Sequence, residues 1–337
     1  MDTTPLEKLL KGDPAPPRTG AEDSAGGAPR DRRAGRARLP TGRGVWAIGG
    51  GKGGVGKSLV TANVGILLAQ LGHRVCLIDA DLGGANLHSC LGIRQPSTTL
   101  DDFVTRTTTE LQDLVVETGV PNLSLISGAG SMTDAANPKY QTKMRLIRNI
   151  RALDFDHVLL DLGGGTGYNT LDFFLSARHG VLVCLPEPTS IDNLYRFLRA
   201  AFARRLRDLD AELGVGSLMA AALAKQGGRG VPSPLELFER IRRIDPDRGG
   251  RLHEAMQRFQ PSLVVNQVRN ADDAGVGPQI ALVARRFFGI DLRFAGYLQY
   301  DDTVWRAVRR RRPLLVEYPV SPLAGSLREI VQRILSP

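Results

Sequence analysis

Cysteine is scarce in this 337-residue chain, and the three present, Cys76, Cys90 and Cys184, form no CxxC pair and no metal-ligand spacing. Neither a disulfide framework nor a cysteine-held metal is supported, and the thiols read as free. Cys76 and Cys184 lie in apolar runs and read as core residues. Long apolar runs are also missing, since none approaches the roughly 18 residues that cross a bilayer. The first residues are polar, which does not fit a secretory signal peptide. No internal repeat is visible. The expectation is a cytoplasmic protein, with peripheral attachment to the inner face of the plasma membrane or a cell pole left open.

Acidic charge is in the minority. The net charge is +9, and residues 1–43 hold nine Lys/Arg against six Asp/Glu, so most of the excess lies beyond them. A basic balance favours nucleic acid or anionic lipid only non-specifically. Residues 11–43 are rich in Pro, Gly, Ala and Arg and lack hydrophobic periodicity. They predict a disordered basic tail over 1–43. Leu6, Leu9 and Leu10 form a short apolar cluster within it, read as a frayed end or as a docking helix for a partner.

From residue 44 the pattern changes. Short near-continuous apolar runs at 45–49, 75–79, 123–126, 157–161, 181–185, 263–268 and 294–298 predict strands. Helices are predicted at 57–71, 138–152, 169–178, 190–213, 234–243, 252–259, 278–288, 302–311 and 322–335. This alternation predicts an α/β fold, a mostly parallel twisted sheet with helices on both faces. We expect one domain over 44–337, with a helical insertion at about 227–260 where Gly and Pro break the alternation. In such sheets ligands sit beyond the carboxyl ends of the strands. Lys52, Asp79, Asp161, Glu187 and Asn266 all fall at or just past predicted strand ends.

The strongest motif is Gly51-Lys52-Gly53-Gly54-Val55-Gly56-Lys57-Ser58, between a predicted strand and a predicted helix. Its glycines let backbone N–H groups turn inward onto phosphate oxygens, and the helix N-terminus adds its positive end. Lys57 is positioned to reach β- and γ-phosphates, and Ser58 to bind Mg²⁺. Lys52, between glycines, can reach a triphosphate held by a facing copy of the chain. The Asp79-Ala80-Asp81 strand end precedes Gly83, Gly84 and Asn86. Asp79 suits the Mg²⁺ shell, and Asp81, on a glycine loop, suits orienting the attacking water. Asp161 precedes Gly163, Gly164, Gly165 and Gly167, which suits water-mediated Mg²⁺ binding beside a γ-phosphate sensor.

These segments, in this order and spacing, resemble the deviant-loop ATPases of the MinD/ParA family over roughly residues 44–320. The resemblance implies one α/β domain that dimerises face to face around two ATP–Mg²⁺ and hydrolyses ATP slowly. It implies signature-lysine duty for Lys52, switch I for Asp81 and switch II for Asp161. Asn266, in Val264-Val265-Asn266, is similar to the adenine-recognising amide, and Asp301, in Tyr300-Asp301-Asp302, belongs to a segment similar to a second base-side loop. The usual proline two residues after the switch II aspartate is replaced by Gly163. With Pro186-Glu187-Pro188-Thr189-Ser190, this is most similar to the flagellar-number regulator branch, FlhG (FleN). The N-terminal DQA-type motif common in that branch is poorly matched by Leu6–Leu10. Absence of a C-terminal CxxC, of cluster cysteines and of a terminal tyrosine cluster argues against cluster carriers, nitrogenase-like reductases and capsule-type kinases.

The expected activity is therefore that of an ATP-driven homodimeric switch that positions or numbers a cellular machine and responds to a protein activator or cargo. The rival reading is a nucleotide-gated DNA- or membrane-binding adaptor in which hydrolysis is secondary. Arg309–Arg312 read as cations at a helix C-terminus or as a non-specific DNA contact. The apolar stripe Leu323, Leu327, Ile330, Val331, Ile334 and Leu335 favours a helix packed on the sheet over one lying in a membrane interface.

Overall fold

The structure, a computed structural model, describes residues 44–81, 84–94, 96–128, 140–224 and 234–336. The expected tail with its Leu6–Leu10 cluster, Gly83 of the first glycine loop and the first part of the expected insertion lie outside these residues.

Seven apolar runs form the seven expected strands: β1 (Gly44–Gly49), β2 (Val75–Ala80), β4 (Leu123–Ile126), β5 (His157–Leu162), β6 (His179–Cys184), β7 (Ser262–Val268) and β8 (Arg293–Gln299). An eighth, β3 (Val116–Glu117), was not expected, because two residues are too few to carry an alternating pattern. The sheet order is β3-β4-β2-β5-β1-β6-β7-β8, and only the β3–β4 pair is antiparallel. β2 and β5 are fully buried, which explains why their sequences read as unbroken apolar runs up to the terminal aspartates.

Side chains alternate between two cores. Trp46 and Ile48 point to one face of the sheet, and Ala47 points to the other. The first face is covered by α1 (Lys57–Gln70), α2 (Leu87–Cys90), α12 (Leu314–Glu317) and α13 (Pro322–Leu335). The second carries α3 (Leu100–Val104), α4 (Tyr140–Ala152), α5 (Tyr168–Ser176), α6 (Pro188–Leu213), α7 (Gly216–Ala224), α8 (Pro234–Ile244), α9 (Pro246–Gln257) and α10 (Ala271–Val283). α11 (Asp302–Arg309) follows β8. α1 is apolar on nearly every side and is buried along most of its length. Cys76 and Cys184 are core residues, as expected.

The differences in helices have local causes. α10 starts at Ala271, capped by the Asn270 side chain, and runs through Pro278, where the expected helix began. Its Gly277 lies against Phe294, where a Cβ would come within 2.1 Å of the ring. α6 ends at Gly214, which is left-handed, and α7 restarts two residues later. α13 is packed: Leu323, Ala324, Leu327, Ile330, Val331 and Ile334 are all buried. No described helix is long and apolar enough to cross a membrane.

One buried ionic cluster ties three helices of the second face together. Asp172 in α5 pairs with Lys143 in α4 and accepts from Arg204 Nε in α6 at 2.7 Å. Removing the acid strands two cations with little access to water. Asp172→Ala is therefore expected to lower unfolding free energy by about 3–5 kcal/mol, read as the midpoint shift in urea denaturation at unchanged slope.

Candidate functional site

The phosphate-type loop joins β1 to α1 and is shaped by what it must fit between. Gly54 and Gly56 adopt φ of 77° and 95°, the left-handed region that side chains disfavour. A Cβ on Gly51 would lie 2.0 Å from the Asn193 carbonyl oxygen in α6, and one on Gly56 would lie 2.3 Å from Asn266 Nδ2. α1 begins at Lys57 with no side-chain cap, unlike α3, α9, α10, α11 and α13. Its first-turn amides are thus presented to an anion and not to a neighbouring hydroxyl or carboxylate. Val55 is buried and anchors the loop.

Lys57 is buried, and its Nζ donates to the Lys52 carbonyl at 3.3 Å. Burial lowers its pKa, while the nearby charges of Asp161 and Asp81 act the other way. Lys52 and Gly53 are exposed at the loop tip.

The two strand-end aspartates are direct register partners, Asp79 on β2 beside Asp161 on β5. Asp161 accepts from Thr61 Oγ1 at 3.1 Å and from the Ser58 side chain. Burial, then the charge of Asp79, pushes its pKa up to about 7. Asp79 accepts from Leu87 N at 2.9 Å and from Asp81 N at 3.2 Å. Burial pushes its pKa up to about 6. Asp79 thus fastens both ends of the loop that carries Asp81. The Asp81 carboxylate in turn lies over Gly163, where a Cβ would come within 3.0 Å of its Oδ1.

The second glycine loop touches the first. Gly165 N donates to Gly50 O at 3.2 Å, and a Cβ on Gly164 would lie 2.6 Å from Gly53 N. The three loops that follow β1, β2 and β5 therefore form one contact network. Among the described residues no group of three or more His, Cys, Asp or Glu could hold a metal alone. The donor set present is a serine hydroxyl and two adjacent buried carboxyls of raised pKa, beside an uncapped helix N-terminus. It fits a divalent cation that completes its shell with phosphate oxygens and water.

On the other side of the loop, β7 carries Asn266. Its Nδ2 donates to Val55 O at 2.9 Å, and its Oδ1 accepts from Gln267 N at 2.9 Å. Pairing with β8 shifts register here, and Gln267 takes a φ of 59°. Asn266 is therefore a clamp on the loop backbone as well as a strand-end amide. Asp301, just past β8, caps α11 by accepting from Thr303 N at 2.8 Å and Thr303 Oγ1 at 2.6 Å. A cleft of about 620 Å³, lined by Arg269, Asn270, Tyr297 and Tyr300, opens at these strand ends, with the Arg269 guanidinium over the Tyr300 ring.

Thr61 and Asn63 were not anticipated from the sequence. Thr61 lies one helical turn after Ser58 on the same side of α1, and a fully buried hydroxyl in an apolar helix was the available signal. Asn63 Oδ1 accepts from Leu315 N at 3.3 Å, a partner 252 residues away that no local pattern reveals.

The Asp79–Asp161 pair makes a prediction for the chain free of nucleotide and divalent ions. Both folded pKa values are raised above the ordinary carboxylate value near 4. The folded state then binds more protons than the unfolded state between about pH 4 and 7, so this contribution to stability is lost as pH rises through that window. Asp161→Asn keeps the shape and removes one charge. Its thermal midpoint is expected to exceed that of the unaltered chain near pH 8, with a flatter pH dependence.

Comparison with known proteins finds relatives over most of the chain. The family model described as CobQ/CobB/MinD/ParA nucleotide binding domain matches residues 46–314. Antiactivator FleN of Pseudomonas aeruginosa is 27% identical over 293 residues, covering 86% of this chain and 85% of FleN. A putative septum site-determining protein MinD of Chlorella vulgaris is 36% identical over 153 residues, covering 45% of this chain and 54% of its own. Among solved structures, the septum site-determining protein MinD complexed with Mg-ADP from Pyrococcus horikoshii superposes with a TM-score of 0.57 at 20% identity, over 86% of this chain and 95% of that one. The chain belongs to the CobQ/CobB/MinD/ParA nucleotide-binding family and is a MinD/ParA-type ATPase related to FleN and MinD.

Proposed function

We propose that this protein is an ATP-dependent, dimerising switch ATPase that positions or numbers a cellular machine, in the manner of a FlhG-type spatial regulator. The observation that carries the reading is the meshing of three loops: Asp81 over Gly163, Gly164 against Gly53, and Gly165 bonded to Gly50. A terminal phosphate on the Gly51–Ser58 loop would lie where both neighbouring loops respond to it. The likeness to an antiactivator over most of both chains supports the branch.

In this mechanism the loop amides, the N-terminus of α1 and Lys57 hold the β- and γ-phosphates. Ser58, Asp161 and Asp79 are the residues that would hold Mg²⁺, with Thr61 fixing the orientation of the Asp161 carboxylate. The ion, when bound, neutralises charge on the triphosphate. Asp81 positions the attacking water, on a loop whose ends Asp79 secures. Asn266 contributes to the adenine side while clamping Val55, with Asp301, just past β8, as the second base-side residue. Exposed Lys52 reaches the triphosphate of a facing copy and neutralises its charge in trans. Glu187, Pro188 and Thr189 are exposed at the start of α6, whose backbone abuts Gly51, so an activator or cargo docking there touches the loop.

Lys52→Ala is expected to leave monomeric nucleotide binding within about twofold and to abolish dimerisation with a non-hydrolysable ATP analogue. Hydrolysis should fall on the order of 10³-fold, the scale of a charge supplied in trans. Light scattering and phosphate release measure the two. Dimerisation and hydrolysis both unchanged in the variant would falsify the trans role.

A further inference from the structure

The strand end after β4 plays no part in the mechanism above, yet it borders the site. Ile126 lies beside Ile78 in the parallel β4–β2 pair, so the next row sets Ser127 beside Asp79. On its other side Asp79 lies beside Asp161. Leu125, Leu77 and Leu159, two residues earlier on the three strands, all belong to the core of the first face. Alternation along a strand carries Ser127, Asp79 and Asp161 to that same face, about 5 Å apart from strand to strand. The row runs under α1 and α2, since Thr61 in α1 bonds Asp161 and Leu87 in α2 bonds Asp79. Gly128 continues the close approach. A Cβ there would lie 2.7 Å from the Asp79 carbonyl oxygen and 2.8 Å from Ala85 Cβ, in the loop that carries Asp81.

The row is served unequally. Asp161 accepts from two side-chain hydroxyls, those of Ser58 and Thr61. Asp79 accepts from the backbone amides of Asp81 and Leu87, which lie on the loop after β2 and at its far end. Ser127 is 1% exposed, and its Oγ has no hydrogen-bond partner among the described residues. A buried hydroxyl without a partner is unfavourable, and a small apolar side chain would cost less there. Its presence points to a partner acquired in another state of the site.

We propose that Ser127 is a positioning residue for Asp79, its hydroxyl donating a hydrogen bond to the Asp79 carboxylate when the Asp81 loop reorders around a bound nucleotide. Reordering draws the Asp81 and Leu87 amides away from Asp79. Ser127 stays in place, because it lies outside that loop and its carbonyl accepts from Leu100 N at 2.9 Å. A turn about its Cα–Cβ bond brings the hydroxyl toward the neighbouring strand. Asp79 then keeps its aim through a fixed hydroxyl, as Asp161 does through Thr61, and the two carboxylates remain together for a divalent cation. The movement of the loop is the part that rests on the ATPase reading.

The test is Mn²⁺ binding to the full chain, followed by electron paramagnetic resonance with and without a non-hydrolysable ATP analogue. With the analogue present, Ser127→Ala is expected to weaken Mn²⁺ binding about tenfold. Ser127→Thr, which keeps the hydroxyl, should stay within about twofold of the unaltered chain. In an Asp79→Asn background, Ser127→Ala should have no further effect. Free of nucleotide and divalent ions, Ser127→Ala should have a thermal midpoint equal to or above that of the unaltered chain, because it removes an unpartnered hydroxyl. A lower midpoint there, equal Mn²⁺ affinity in the alanine variant, or an undiminished effect beside Asp79→Asn each overturns the proposal. Mn²⁺ binding that depends on Ser127, in a chain that binds no nucleotide, upholds the hold on Asp79 and refutes the ATPase reading separately. No Mn²⁺ binding by the unaltered chain overturns both.

Discussion

The architecture at this site depends on the absence of Cβ atoms where three loops converge. Gly50 and Gly51 press on β6 and α6, Gly164 presses on Gly53, and Gly163 lies under Asp81. Backbone must meet backbone at Gly50, Gly51 and Gly164, because the loops leave neighbouring strands β2, β5 and β1 of one sheet. Any side chain would hold them apart and separate Asp81 from the phosphate-type loop. The Gly165–Gly50 hydrogen bond is possible only within that contact.

The second constraint is electrostatic. Two aspartates face each other at the ends of parallel strands with little water, and burial raises both pKa values. A pair of buried carboxyls this close is unfavourable for an isolated fold and favourable for one that receives a cation. Thr61 and Ser58 satisfy Asp161, while backbone amides satisfy Asp79. The same chemistry therefore splits into two duties: one carboxylate is directed toward the helix N-terminus and the other restrains a loop.

Much of this was legible in advance. Apolar runs ending in aspartate, and a lysine-bearing glycine loop between strand and helix, each depend on neighbours within a few residues, so local pattern suffices to find them. The register that sets Asp79 beside Asp161 was implied only by their shared place at strand ends. What was not legible depended on distant partners. Asn266, read as similar to an adenine-recognising amide, also bonds Val55, 211 residues earlier. The helix expected from 278 begins at Ala271, capped by Asn270, and continues through Pro278.

The sequence by itself determined the fold class, the order of the strand ends and which residue types gather there, because parallel strands buried on both faces and glycine-rich turns have unmistakable local signatures. Only the tertiary structure decided which loops touch, which carboxylate faces the helix, and that Arg311 packs on Gly92 while Leu315 N bonds Asn63. Those outcomes follow from close packing between segments hundreds of residues apart, where a fraction of an ångström at a glycine or one hydrogen bond selects among arrangements that the local pattern leaves equal.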